Sequence, residues 1–278
     1  MTNSVHTNTS AAIALQNLTR TNERLGDVQS RISTGLKVEG AKDNAAIWAI
    51  AQQQRADVGA YSAVKQSLDR ATSIADVALS AGESISDLLN QLKEKVVAAK
   101  DSSLKTQSRE LLDADFKALL KAISSAVSNA TFDGGNILNG TLTAGIQFIA
   151  NADASSFVTL SAKDLSLGGS IIELSLSDSL LTLTGATQAL TRLDDSISQL
   201  NASLGEIGAQ AKQIDAHNTF VTKLVDTLEG GIGNLVDADL AKESARLQAL
   251  QVQQQLGAQA LSIANQAPQI ILSLFRGG

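Results

Sequence analysis

Few residues in this chain have the type and spacing that chemistry requires. Asp237 and Asp239 stand two apart at the head of a helical pattern. A carboxylate pair at that spacing can begin a cation site, but no third and fourth ligand lies close by, and helix capping is the better reading. His6 and His217 are remote from one another and belong to no His-Glu-x-x-His pattern, so each reads as an exposed or seam polar residue. Gly230, Gly231 and Gly233 have no strand before them and no Lys-Ser/Thr after them. They read as a break between helices and not as a phosphate loop. Asp194 and Asp195 fall on the polar face of a helix and read as solvated charge. The absence of cysteine excludes disulfides and thiolate metal sites. The residues predict no catalytic group, no metal and no cofactor.

The elements that would have to position a site are long helices. Hydrophobic residues make up 44% of the 278, aromatics only 3%, so the apolar share is mostly Ala, Leu, Ile and Val. These fill thin helical seams more readily than a thick core. A single proline, Pro268, leaves almost nothing to interrupt a helix. The net charge of −6 comes without a polybasic run, which argues against nucleic acid and anionic membrane as partners. No apolar stretch is long enough to predict a membrane span. The segment 1–10 has neither a basic start nor an apolar centre, and so predicts no cleavable secretory signal.

The spacing predicts a first helix from Thr9 to Gly35, with Ala11, Leu15, Leu18, Asn22, Leu25, Gln29 and Ile32 alternating by four and three. Gly35 is a natural stop, and Asp43 or Asn44 can cap the next helix. That second helix runs from about Asp43 to Lys100, roughly 85 Å at about 1.5 Å per residue, with Ile50, Val58, Leu68 and Leu89 on its seam. A third occupies about 103–130. Between Thr131 and Thr184 the period falls to two. Ile146, Phe148 and Ala150 alternate, then Val158 and Leu160, with 151–156 as the turn, then Ile172, Leu174 and Leu176 as a third run. The helical period returns at Ala186, with Leu193, Ile197, Leu204, Ile214 and Leu228 among its seam positions, and is expected to break at Gly230. A last helix starts near Asp239, carries Leu240, Leu247, Leu250, Leu256 and Leu261, and is expected to end near Pro268. The fold class is mainly α: a discontinuous long-helix coiled-coil bundle of N- and C-terminal segments with a small β-hairpin region in the middle.

The chain resembles bacterial flagellin. Thr7-Asn8-Thr9-Ser10-Ala11 with Leu15 after it is similar to the family's opening. Arg31-Ile32-Ser33-Thr34-Gly35-Leu36-Lys37 resembles its R-L-S-T-G-L-R signature, and Asp43-Asn44-Ala45-Ala46 with Ala49-Ile50-Ala51 the block after it. Thr131-Phe132-Asp133-Gly134-Gly135 with Leu138-Asn139-Gly140 resembles the loop before the family's hairpin. Asp237-Ala238-Asp239 with Ala241 and Glu243, and Ala264-Asn265-Gln266-Ala267-Pro268-Gln269 with Leu272 to Arg276, resemble the C-terminal blocks. No single piece is specific, but the ordered set is.

The resemblance implies a filament subunit of the bacterial flagellum, exported by the flagellar type III apparatus. It implies an inner filament-core coiled coil from 1–42 and 236–278, and an outer helical domain over 43–235 with its β region at about 131–184. The family's variable outer insertion is absent. The self-assembly seam would be Leu15, Leu18, Leu25, Ile32, Leu240, Leu247, Leu250 and Leu261, with Leu247, Leu250 and Leu256 meeting an export chaperone. Other implied partners are further copies of the chain, hook-associated and cap proteins, and an O-linked glycan on Ser/Thr of 131–184. Two positions depart from the pattern. Ile47-Trp48 stands where the family usually has glycine, and Gln91 to Ala99 contains no arginine where many flagellins carry the patch read by a vertebrate innate receptor. The second departure predicts weak recognition by that receptor. Alternatives are a hook–filament junction protein and, from another class, a coiled-coil signalling module, which would leave the β region and the terminal motifs unexplained.

Overall fold

The computed structural model describes the backbone of residues 7–276 and the side chains of residues 7–266; His6 and the side chains of the Pro268–Arg276 motif lie outside the described residues. Five helices and one hairpin occur in the order α1 (Thr9–Thr34), α2 (Ala41–Ala99), α3 (Thr106–Asn129), β1 (Ile146–Ile149), β2 (Phe157–Leu160), α4 (Leu183–Val236) and α5 (Leu240–Arg276). They form two compact units, one of Met1–Ala56 with Leu228–Gly278, the other of Asp57–Thr227.

The 57–227 unit is built on α2, α3 and α4. Antiparallel packing of α2 on α4 is fixed by Lys93–Asp194 at 2.7 Å, Thr72–Asp215 at 3.3 Å and Asn218–Asp69 at 2.6 Å. Between them runs a continuous core that includes Leu68, Ile85, Leu89 and Leu92 of α2, Phe116, Leu120 and Ile123 of α3, and Leu193, Leu200, Ile207 and Ile214 of α4. The α2 terminus is closed by Arg109 of α3, whose guanidinium donates to the Ala99 and Asp101 carbonyls at 2.5 and 2.6 Å. These acceptors have no partner along the helix itself.

The β1–β2 hairpin is antiparallel, pairing Ile146 with Leu160 and Phe148 with Val158. Phe148 and Leu160 point into the core. Gly145 opens the hairpin at φ +77°, where an added Cβ would sit 2.3 Å from the Leu160 carbonyl oxygen. Side chains from the helices hold the hairpin down. Ser67 Oγ accepts from the Ile149 N–H, Gln210 Oε1 accepts from the Ser161 N–H, and His217 Nε2 donates to the Ala150 carbonyl at 2.8 Å. His217 is therefore a structural anchor.

Three local expectations differ from the structure. The run at Ile172, Leu174 and Leu176 forms no strand. Ile172 and Leu174 are buried and Glu173 exposed, as alternation requires. The backbone bonds go elsewhere, however: the Glu173 N–H to Ser196 Oγ, and the Ile172 and Leu174 carbonyls to the Gly168 N–H. The Gly230–Gly233 cluster does not break α4, which continues to Val236. Glycine lowers helix propensity by about 1 kcal/mol but poses no steric bar, and Asp237 N–H still reaches the Gly233 carbonyl at 2.8 Å. α5 passes through Pro268 to Arg276.

Candidate assembly surface

The unit formed by Met1–Ala56 and Leu228–Gly278 is held by α1 packing on α5. Asn8 caps α1, its Oδ1 accepting from the Ala11 N–H at 3.0 Å. Gly35 ends the helix in the left-handed region at φ 72°, its N–H on the Arg31 carbonyl. Asp239 caps α5 through the Lys242 N–H at 3.1 Å, while Asp237 gives its backbone N–H to the Gly233 carbonyl at the end of α4. Among the described residues no three histidine, aspartate or glutamate side chains gather as a metal site, and no helix is long and apolar enough to cross a membrane.

The signature blocks from the two ends of the sequence meet here. Lys37 N–H and Val38 N–H both donate to the Val236 carbonyl, at 2.7 and 3.3 Å, and Ala238 N–H donates to Gly35 O at 2.8 Å. Lys37 Nζ adds a bond to the Asn234 carbonyl at 2.9 Å. Arg31 of the Arg31–Lys37 block lies 3.7 Å from the buried carboxylate of Glu243 in the Asp237–Glu243 block, which also accepts from Arg246 at 2.9 Å. Arg24, Asp27, Arg31, Arg246 and Leu250 line a groove of about 410 Å³ beside this pair. Asp43 accepts from the Glu39 and Gly40 N–H groups. The bond from Gly40, then that from Glu39, holds its carboxyl below the usual range. Asn44 departs from helical geometry at φ −161°, and its Oδ1 accepts from the Ile47 N–H, so Asn44 caps the helix that follows while Asp43 reaches back to the residues before it.

The heptad of α1 is phased one residue earlier than expected at every second position. Thr21 and Val28 are its buried residues, and Ala14 faces the same way, half-buried. Leu15, Asn22 and Gln29 lie on the exposed side. An i, i+3, i+4 pattern on a straight helix admits neighbouring phases because 3.6 residues per turn do not divide seven. Gly257 of α5 leaves space for Leu18, which lies on the seam in either phase. Leu18, Leu25, Ile32, Leu247, Leu250 and Leu261 are half-buried, while Leu15, Leu240 and Leu256 are exposed. Asn22 and Gln254, polar residues beside the seam, bond to each other at 2.8 Å. In the longer helices Leu68, Leu89, Leu193 and Ile214 are fully buried, Val58, Ile197, Leu204 and Leu228 half-buried, and Ile50 exposed.

Sequence reasoning missed three participants. Val28 was hidden by the phase ambiguity. Glu243 stood in the sequence only as a motif residue, and its buried ion pairs with Arg31 and Arg246 give it a part in the packing. The strap at Lys37 and Val38 has no sequence signal beyond the signature itself.

Two ends of one chain, paired helix on helix and strapped together, with apolar side chains left uncovered, define a helical self-assembling protein. The description "Bacterial flagellin N-terminal helical region" matches residues 5–143, and "Bacterial flagellin C-terminal helical region" matches residues 190–275. Flagellin FljJ of Caulobacter vibrioides is 55% identical over 277 residues, covering 99% of each chain. A flagellin of Brucella melitensis is 42% identical over 282 residues, again covering 99% of each. The chain belongs to the bacterial flagellin family. Its fold is also shared with a putative flagellar hook-associated protein from Vibrio parahaemolyticus, at a TM-score of 0.53 and 14% identity over 70% of this chain and all of that one.

Proposed function

We propose that this flagellin is the structural subunit of a bacterial flagellar filament, and that it polymerises through the unit built from its two ends. The observation that carries the reading is the exposure of apolar side chains along that unit: Ile13 at 59%, Leu15 at 54%, Val252 at 55%, Leu256 at 59% and Ile263 at 69%. A helix pair with a single seam is marginal alone, and such a surface calls for cover by further copies. A heterologous, non-closing contact repeated between copies generates a helix and not a ring. Purified chain added to short filament seeds should elongate them into long filaments. A hook–filament junction protein would instead add a short cap and stop.

The filament is extracellular and acts as a passive stiff propeller for swimming, and the family suggests export by the flagellar type III route. Leu247, Leu250 and Leu256 of α5 would meet an export chaperone before assembly. Hook-associated and cap proteins would contact the same terminal unit at the filament's ends. Exposed Ser/Thr between 131 and 184, such as Thr141, Ser155 and Ser156, are the expected place for an O-linked glycan. Intact mass equal to that of the bare polypeptide would remove that expectation.

A further inference from the structure

Asn8 uses both ends of its amide. Its Oδ1 accepts from the Ala11 N–H at 3.0 Å, capping α1. Its Nδ2 donates to the Ala264 carbonyl of α5 at 2.7 Å, across 256 residues of sequence. In an uninterrupted helix the Ala264 carbonyl would accept from the N–H of residue 268. That residue is Pro268, the chain's one proline, and it has no N–H to give. α5 nevertheless runs through it to Arg276. The interior carbonyl that the proline leaves without its helical donor is therefore the one that Asn8 occupies.

We infer that Asn8 and Pro268 together form a register lock, in which the proline opens one acceptor in α5 and the α1 cap fills it. A seam of Ala and Leu discriminates weakly between its own register and one displaced by seven residues, and polar contacts are the known means of fixing register in such pairs. Asn22 with Gln254 and Arg31 with Glu243 repeat the antiparallel order farther along. Only the Asn8 contact depends on an acceptor that the sequence creates at a single place. In any other register this part-buried carbonyl loses the donor that Asn8 supplies, and with it the bond's contribution. The lock thus positions the exposed residues of both ends as one surface, and this role rests on the assembly reading.

The test is a double-mutant cycle on the full chain in seeded polymerisation. Asn8→Ser keeps a good N-cap but is too short to reach Ala264. Pro268→Ala returns an N–H to the Ala264 carbonyl. Asn8→Ser should raise the critical concentration for filament growth about five- to tenfold in the Pro268 chain, and less than about twofold in the Pro268→Ala chain. An equal effect in both backgrounds, or none in either, overturns the lock. Failure of the unaltered chain to elongate seeds counts against the assembly reading instead. The lock is then read from amide exchange of residues 9–34 in the soluble chain, where Asn8→Ser should lower protection only when Pro268 is present. Unchanged protection overturns it.

Discussion

The two units use the same sequence device with different results. In α4, Leu193, Leu200, Ile207, Ile214 and Val221 recur every seven residues, and each is 0% exposed. In α1, Leu18, Leu25 and Ile32 recur at the same spacing and are only half-buried. The difference lies in the number of covering elements. The α4 seam meets α2, α3 and the segment around the hairpin, which enclose it from every side. The α1 seam packs on α5. Among the described residues, the terminal unit buries Val28, Val38, Ala51, Ile232 and Val236 as its apolar core, whereas the 57–227 unit has a continuous core from Val64 to Val221. A heptad therefore specifies a surface to be covered, and the count of neighbours within one chain decides whether folding is finished there.

A matched pair of substitutions tests this comparison most severely. Leu200→Ala removes a fully buried side chain and should cost about 2–5 kcal/mol in chemical denaturation of the soluble chain. Leu25→Ala, the same change at a half-buried position of the same spacing, should cost under about 1 kcal/mol there but raise the critical concentration for polymerisation. Equal costs in the soluble chain would break the contrast. Gly145→Ala should destabilise the 57–227 unit by about 2–3 kcal/mol, because it combines a left-handed φ with a clash against backbone.

Asp113 gives the unit an acid limb. Burial works against its charge, but is outweighed by bonds from Lys117 Nζ and the Leu180 N–H, each at 2.7 Å, and from Ser179, so its carboxyl is held below the usual range. A carboxyl whose folded pKa lies below its unfolded one contributes fully above the ordinary value of about 4 and ceases to contribute as pH falls through the folded value. Stability should therefore be level from about pH 8 to about pH 5 and fall below about 4. Asp113→Asn should cost about 1–2 kcal/mol at neutral pH and flatten that fall. The smallest effect is expected at Leu256→Ser, on an exposed face. It should change soluble stability by under about 0.5 kcal/mol and still impair filament growth.

Most of the architecture was legible because period alone separates helix from hairpin, and the hairpin strands stand where Ile146, Phe148, Val158 and Leu160 place them. The features that were not legible depended on tertiary partners. The phase of α1 is decided by its packing on α5, a helix from the other end of the chain. The third β run failed because Ser196 of α4, and not a neighbouring strand, receives the Glu173 N–H. The glycines at 230–233 and Pro268 suggested helix ends. Propensity is a weak prior that long helices override, and at Pro268 the orphaned carbonyl found Asn8.

Amide hydrogen exchange, compared between the soluble chain and seeded filaments, tests the central claim directly. If the terminal unit is completed by neighbouring copies, α1 and α5 should exchange far faster than residues 190–228 in the soluble chain and become comparably protected in the filament. Protection of both ends in the soluble chain as strong as that of 190–228 would contradict it.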